Sequence, residues 1–297
     1  HLLGLAYLQR RWNRKALEAF RQAQRLNPRK MRYQDVVRYL SGQGRAPLPE
    51  VPGEAGEWFA RGEDKLRARD LRAALRCYRR ALSLAPENPT LLMSYALLCL
   101  ELDRTQEIEA IARRVLDLDP GEMLVATACA ALMEALRGQG RVADANRVGQ
   151  RLLDEEGGTA FARTIAYYEL ACNWAEGEAA GEEEGSALDR ALDYARRALD
   201  HAPEELVQFP LAALGWIHYR RGELEQAIDH LSRSSELAPS AATLTHLGMA
   251  LLAAGDEERA RDVLAHARTL SGRGEALGAK MMELMKDSAR LLRPVQG

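Results

Sequence analysis

Small and apolar residues recur at helical spacing along this chain, in paired stretches that end at a proline. Residues 3–28 (LGLAYLQRRWNRKALEAFRQAQRLNP) place Ala16, Phe20 and Ala23 three or four residues apart. Side chains at that spacing lie on one face of an α-helix. Proline cannot continue a helix, because its ring removes the backbone N–H and clashes with the preceding turn. The stretch therefore predicts two consecutive helices that end at Pro28.

The same order of residues returns several times, so the helix pair is a repeat. The clearest copies occupy residues 1–28, 55–120 and 207–270, and a weaker series occupies residues 126–205. A glycine has no Cβ, so a neighbouring helix can pack directly against its backbone. The small residues expected where two helices approach closely are Gly62, Gly215, Gly248, Ala16, Ala74, Ala227 and Ala260. The prolines that follow the second helices are Pro28, Pro86, Pro120 and Pro239.

This pattern resembles the tetratricopeptide repeat, a helix–turn–helix unit of about 34 residues with the order W-x2-L-G-x2-Y, then A-x3-F, then proline. The resemblance covers nearly the whole chain. It implies an all-α fold, namely an α-solenoid superhelix of about seven tetratricopeptide-like helix–turn–helix repeats with capping helices.

Departures from the repeat predict the domain organisation. Residues 1–41 are expected to be the last repeat and the capping helix of an upstream array, and the Gly/Pro-rich segment 42–54 is predicted to be a linker. A superhelix of six repeats then occupies residues 55–273, with 126–205 degenerate, and residues 274–297 are expected to form a C-terminal capping helix. Because the chain starts inside a repeat, we expect it to be a fragment of a larger scaffold or adaptor. Its Ala/Leu/Arg-rich composition suggests a bacterial one.

The charge of the chain gives little support to nucleic-acid binding. The net charge is −2, so no global basic field would recruit nucleic acid. Residues 1–50 are locally basic, with 11 Lys/Arg against 3 Asp/Glu. These cations could contact phosphates or an acidic protein, but a solvated helix exterior is the interpretation we favour.

The cysteines and the length of the apolar runs indicate the cellular compartment of the protein. Cys77, Cys99, Cys129 and Cys172 have no metal-binding spacing, and we expect them to be small buried residues in a reducing compartment. The longest apolar run, residues 91–100, is too short to span a bilayer. No signal-peptide pattern is visible. The sequence therefore predicts a cytoplasmic location without a membrane span.

The sequence offers no convincing catalytic constellation. None of the six histidines belongs to an HExxH motif, and the sequence has no nucleophile elbow, P-loop or dinucleotide fingerprint. His218 stands at the tyrosine position of the repeat, so we expect it to pack between helices. The acidic segment 176–185 is expected to be a solvated loop rather than a cation site. We therefore expect a non-enzyme that binds no cofactor and no metal.

The resemblance implies partner binding along a concave surface lined by the first helix of each repeat. Tryptophan and tyrosine are enriched in binding hot spots, and methionine suits adaptable surfaces. The alternative is that the curvature of the superhelix buries some side chains of the first helices, Leu97 and Leu252 in particular. The predicted groove residues are Phe59, Glu63, Leu66, Arg67, Met93, Leu97, Leu100, Glu101, Arg137, Trp216, Tyr219, Arg220 and Met249.

One known binding mode of the family does not fit. Chaperone-binding members hold a peptide C-terminal carboxylate with Lys, Asn and Arg on successive first helices. The matching positions here hold Phe59 and Glu63, then Met93 and Leu97, which cannot grip a carboxylate. An apolar groove with arginines nearby better suits an amphipathic helix or an extended apolar segment.

The sequence thus predicts a non-catalytic scaffold or adaptor that binds a peptide or partner protein in this groove. Two alternatives stay open. The chain could be the regulatory or substrate-recruiting region of a larger enzyme or signalling protein. It could also be a self-assembling scaffold, in which the groove or the face with Met281, Met282 and Met285 receives a second copy.

Overall fold

The computed structural model describes residues 2–9, 13–41, 50–102, 104–118, 121–154, 159–176 and 184–270. Every regular element in these ranges is helical, so the all-α prediction is confirmed. None of the helices in these ranges is long and apolar enough to cross a membrane. A short 3₁₀ helix, Glu204–Leu206, precedes the twelfth α-helix. The α-helices are α1 (Leu2–Gln9), α2 (Asn13–Leu26), α3 (Met31–Leu40), α4 (Gly53–Arg67), α5 (Leu71–Leu84), α6 (Pro89–Glu101), α7 (Thr105–Asp117), α8 (Glu122–Gly138), α9 (Val142–Asp154), α10 (Ala160–Glu176), α11 (Glu184–His201), α12 (Gln208–Arg220), α13 (Leu224–Leu237), α14 (Ala241–Ala253) and α15 (Glu257–Leu270).

The chain divides into two compact units, which are described separately. Unit 1 contains α1 to α8, up to Gln139, and unit 2 contains α9 to α15, from Gly140 onward. In unit 1, α1 packs on α2, α4 on α5 and α6 on α7. In unit 2, α10 packs on α11, α12 on α13 and α14 on α15, and the first helices α10, α12 and α14 touch in sequence. These helix pairs are the predicted repeats.

Polar caps and prolines set the ends of the helices. The side-chain oxygen of Asp70 accepts a hydrogen bond, 3.0 Å long, from the backbone N–H three residues later, at the start of α5. Asn88 and Ser240 make the same contact at the starts of α6 and α14, each 3.1 Å long. Such caps satisfy backbone donors that have no partner inside the helix. Pro86 and Pro239 follow the ends of α5 and α13, where the sequence predicted a stop.

Glycines allow the two helices of a pair to touch, as the sequence predicted. A Cβ placed on Gly62 would lie 2.4 Å from the ring of Tyr78, on α5. A Cβ on Gly215 would lie 2.5 Å from Leu231 Cγ, on α13, and Gly248 meets α15 in the same way. Real Cβ atoms do not approach this closely, so the contact requires glycine.

The predicted ends of the arrays are partly described. Helix α3 occupies residues predicted to cap an upstream array, and its Val36 is buried with Ala16 and Phe20 of α2. Its role as a cap stays a prediction. Helix α4 begins at Gly53, two residues before the predicted start of the array. The segments 42–49, 177–183 and 271–297 lie outside the described residues. The linker, the acidic loop and the C-terminal cap therefore stay predictions.

Candidate functional site

Three aromatic side chains stack on the first helices of unit 2. The Trp216 indole lies against the His246 imidazole, with ring centroids 4.1 Å apart and planes at 18°. On α12 itself, the Tyr219 ring lies 5.3 Å from Trp216, at 19°. All three side chains are half-buried. We call Trp216, Tyr219 and His246 the aromatic patch; it joins the first helices of two consecutive repeats.

Further side chains extend the patch along the same two helices. Met249 lies three residues after His246, and Arg220 lies four residues after Trp216, so each shares a helix face with a patch residue. The Arg220 guanidinium donates from Nη1 to the backbone carbonyl of Ala175, at the end of α10, over 2.8 Å. Three predicted groove residues besides Trp216 therefore lie at or beside the patch: Tyr219, Arg220 and Met249.

A second aromatic contact continues the surface onto α10. The ring of Tyr168, on α10, meets the ring of Phe209, on α12, edge to face at 5.9 Å. Both side chains are half-buried. Aromatic rings of neighbouring first helices therefore meet at two contacts, one between α10 and α12 and one between α12 and α14.

The aromatic patch is neutral at pH 7, and the cation Arg220 lies beside it. Neither α12 (QFPLAALGWIHYR) nor α14 (AATLTHLGMALLA) contains Asp or Glu. Burial lowers the pKa of His246 below its ordinary value of 6.5, so this imidazole is neutral at pH 7. The guanidinium of Arg220 supplies the positive charge on α12. Among the described residues, the buried Trp216 Nε1–H has no hydrogen-bond acceptor.

In unit 1, two predicted groove residues contact the second helix of their own repeat. The Phe59 ring lies 5.6 Å from the ring of Tyr78, and the carboxylate of Glu63 accepts a hydrogen bond from the Tyr78 hydroxyl. Burial and the neighbouring Glu63 charge raise the pKa of Tyr78, so the hydroxyl stays protonated and donates. Both residues thus help to hold α4 on α5.

Two other predicted groove residues lie in the core. Met93 is 0% exposed and Leu97 is 9% exposed. The cause is the position of α6, which packs against α5, α7 and α8, and every residue from Thr90 to Cys99 is buried. In this structure Met93 and Leu97 are core residues and not surface residues, which agrees with the alternative that packing buries Leu97.

The remaining predicted residues of unit 1 lie at or near the surface. Leu66, Leu100 and Arg137 are half-buried. The exposed Arg67 pairs with Asp64 of its own helix, and Glu101 accepts a 3.0 Å hydrogen bond from Arg69. No ring stack like the one in unit 2 joins these residues in the part of unit 1 that the structure describes.

Sequence reasoning missed His246, Tyr168 and Phe209. His246 is two residues before Gly248, and the repeat register predicted Met249, rather than His246, as the groove residue of α14. Tyr168 belongs to the degenerate series, where the expanded acidic segment obscures the repeat register. The available signal was the aromatic content of α10, whose sequence AFARTIAYYELACNWAE holds four aromatic side chains.

Family models match this chain in three places. One model, described as tetratricopeptide repeat, matches residues 59–122 and 212–274, and a second model with the same description matches residues 1–30. Together these matches cover just over half of the chain. No curated protein sequence matches the chain significantly.

Solved structures show the same fold at low sequence identity. A tetratricopeptide repeat protein from Parabacteroides merdae aligns over 97% of this chain and 95% of its own, with 17% identity and a TM-score of 0.55. PilW, a type IV pilus biogenesis factor, aligns over 78% of this chain and 100% of its own, with 14% identity and a TM-score of 0.52. A chain of the APC/C hetero-tetramer Cut9–Hcn1 aligns over 93% of this chain but 52% of its own, with 15% identity and a TM-score of 0.56. At these identities the likeness concerns the fold alone.

Proposed function

Because this chain belongs to the tetratricopeptide repeat family, whose fold suggests a protein-interaction scaffold, we propose that it binds a partner protein through the aromatic patch of unit 2. The scaffold carries no catalytic role in this proposal. The observation that carries the proposal is the stack of Trp216 on His246 and Tyr219, which places three rings on the first helices α12 and α14.

The composition of the patch supports binding. Half-buried aromatic side chains offer large apolar areas that a partner can finish covering, and truncation of such anchors at interfaces costs about 2 kcal/mol or more of binding free energy. The other faces of α12 are occupied, since Leu211, Leu214 and Ile217 are buried. The patch is therefore the part of α12 that intramolecular packing leaves incompletely covered.

The partner segment that fits this surface is apolar. Neither first helix supplies a carboxylate, and the Arg220 guanidinium lies one helical turn from Trp216. An amphipathic helix or an extended apolar segment would place its apolar side chains on the rings and a polar group near Arg220. A carboxylate clamp of the chaperone-binding kind is not part of this proposal.

The experiment compares three forms of the full chain as bait in lysate of the source organism. The bait forms are the parent, a Trp216→Ala, Tyr219→Ala variant, and a Leu237→Glu control. Leu237 is 58% exposed on the second helix α13, so its replacement changes a surface apolar side chain away from the patch. Circular dichroism establishes that all three are folded.

Quantitative mass spectrometry then compares the retained proteins. We expect at least one protein to be retained by the parent and the control, and reduced tenfold or more with the patch variant, since about 1.4 kcal/mol corresponds to a factor of ten. Equal retention by all three forms would contradict binding at the patch.

A further inference from the structure

Two histidines stack between the helices of the repeat that carries Trp216 and Tyr219. The rings of His218, on α12, and His230, on α13, have centroids 5.3 Å apart and planes at 18°. Nδ1 of the buried His218 contacts the carboxylate of Glu223. Nδ1 of His230 is buried and has no hydrogen-bond partner among the described groups. We call His218 and His230 the histidine pair.

Most of the charges around His230 oppose its protonation. The carboxylate of Asp229, on the same helix, favours protonation, but it lies 4.0 Å from His230 Nδ1, beyond hydrogen-bond distance, and its effect on the pKa is smaller than that of His218. Arg233 of α13 and Arg196 of α11 add positive charge around it, as does His218 when it is protonated. Helix α14 packs against α13 as well, and His246 is its sole acid–base side chain.

The charges around His218 are arranged differently. Its partner Glu223 also accepts a 2.8 Å hydrogen bond from Arg221 Nε, and the guanidinium of Arg221 pairs with Asp189 of α11. Arg221 first, and then His218, lower the pKa of Glu223, so this carboxylate stays charged in mildly acidic solution. Nδ1 of His218 therefore meets a carboxylate directly, whereas the Asp229 carboxylate stands 4.0 Å from Nδ1 of His230.

We propose that the histidine pair makes the α12–α13 repeat sensitive to protons, so that acidification loosens this helix pair and weakens the aromatic patch that α12 carries. Two neutral imidazoles stack without conflict, but two imidazolium rings at this distance repel in a buried site. The consequence for the patch rests on the proposed function. The loosening itself does not.

The sign of the effect follows from linkage. Burial, and next the charge of His218, lower the pKa of His230 below its ordinary value of 6.5. The folded chain then binds fewer protons than the unfolded chain below that pH. The stability that neutral His230 contributes is therefore present above about pH 6.5 and is lost as the pH falls below it.

A double-mutant cycle on the full chain tests the repulsion. The parent, His218→Gln, His230→Gln and the double variant are melted at pH 7.5 and pH 5.5. For each pH, the Tm of the parent is subtracted from the Tm of His230→Gln. We expect this difference to be about 2–4 °C larger at pH 5.5 than at pH 7.5. In the His218→Gln background this extra gain should become smaller, because the opposing charge is absent and burial alone still lowers the pKa of His230. His266→Gln, an exposed histidine of α15, is the matched control.

A second readout follows the patch without any partner. Acrylamide quenching reports the exposure of Trp216 when Trp12, Trp58 and Trp174 are replaced by Phe. Quenching should increase from pH 7.5 to pH 5.5 in this chain, and the increase should be smaller when His230→Gln is added, since only the titration of His246 against Trp216 then remains. An identical pH response with and without His230, or a Tm gain that is undiminished in the His218→Gln background, would overturn the inference. Since no partner is present, either result would leave the proposed function standing.

Discussion

The indole of Trp216 stacks on the imidazole of His246, which belongs to the next repeat, with ring centroids 4.1 Å apart. This contact joins α12 to α14, the first helices of two consecutive repeats, where we propose that a partner binds. Because burial holds the pKa of His246 below 6.5, the stack is a contact between two neutral rings at pH 7.

The protonation of His246 makes a pH prediction. Its folded-state pKa is lowered, so the stability that the neutral ring contributes is present above about pH 6.5 and is lost as the pH falls. His246→Phe keeps an aromatic ring on Trp216 but removes the titration. We expect this variant to lose less unfolding free energy than the parent between pH 7.5 and pH 5.5 in urea titrations. Parallel losses in the two proteins would contradict the assignment.

The close approach at Gly215 makes a stability prediction. Its added Cβ would lie 2.5 Å from Leu231 Cγ, 3.0 Å from the Leu231 backbone N and 3.1 Å from the Ala227 carbonyl oxygen. Since two of these atoms are backbone, the helices must move apart, and Gly215→Ala should lower the free energy of unfolding by about 1–3 kcal/mol.

A second glycine provides the control for that measurement. Gly185, near the start of α11, has no atom of the described residues within 4 Å of its added Cβ. Gly185→Ala should leave stability unchanged or raise it by up to about 1 kcal/mol, because alanine is the better helix former. Urea unfolding at constant pH measures both variants, and a Gly215→Ala protein as stable as the parent would refute the packing argument.

The repeat register places Met93 and Leu252 on the groove surface, but their burial differs, which leads to a third prediction. Met93 is 0% exposed, whereas Leu252, at the end of α14, is 50% exposed. Met93→Ala should cost about 2–5 kcal/mol of unfolding free energy, since it leaves a cavity in the core of unit 1. Leu252→Ala should change stability by less than about 1 kcal/mol. Similar values for the two variants would contradict the placement of Met93 in the core.

Much of the fold was predictable, because the repeat fixes which residues touch. Gly215 faces the second helix of its own pair, and Pro239 follows that helix, as the resemblance to the tetratricopeptide repeat implied. The same register placed Trp216 and Tyr219 side by side on α12.

The register was less informative where burial depends on neighbours outside the pair. The run PTLLMSYALLCLE of α6 is apolar on every face, which is typical of a helix that is covered all round. The repeat register treated Met93 and Leu97 as groove residues in spite of that run. The stack of His246 on Trp216 joins two repeats, so the spacing of residues within one repeat does not predict it.

The measurement that tests the central claim most directly is site-specific photo-cross-linking of the full chain in lysate of the source organism. A photoreactive phenylalanine analogue replaces Met249, beside the aromatic patch, or Leu237, on the second helix α13. The account predicts a discrete cross-linked partner from position 249, its loss on addition of Trp216→Ala, and none from position 237. The same partner from both positions, or cross-links at 249 that survive Trp216→Ala, would contradict it.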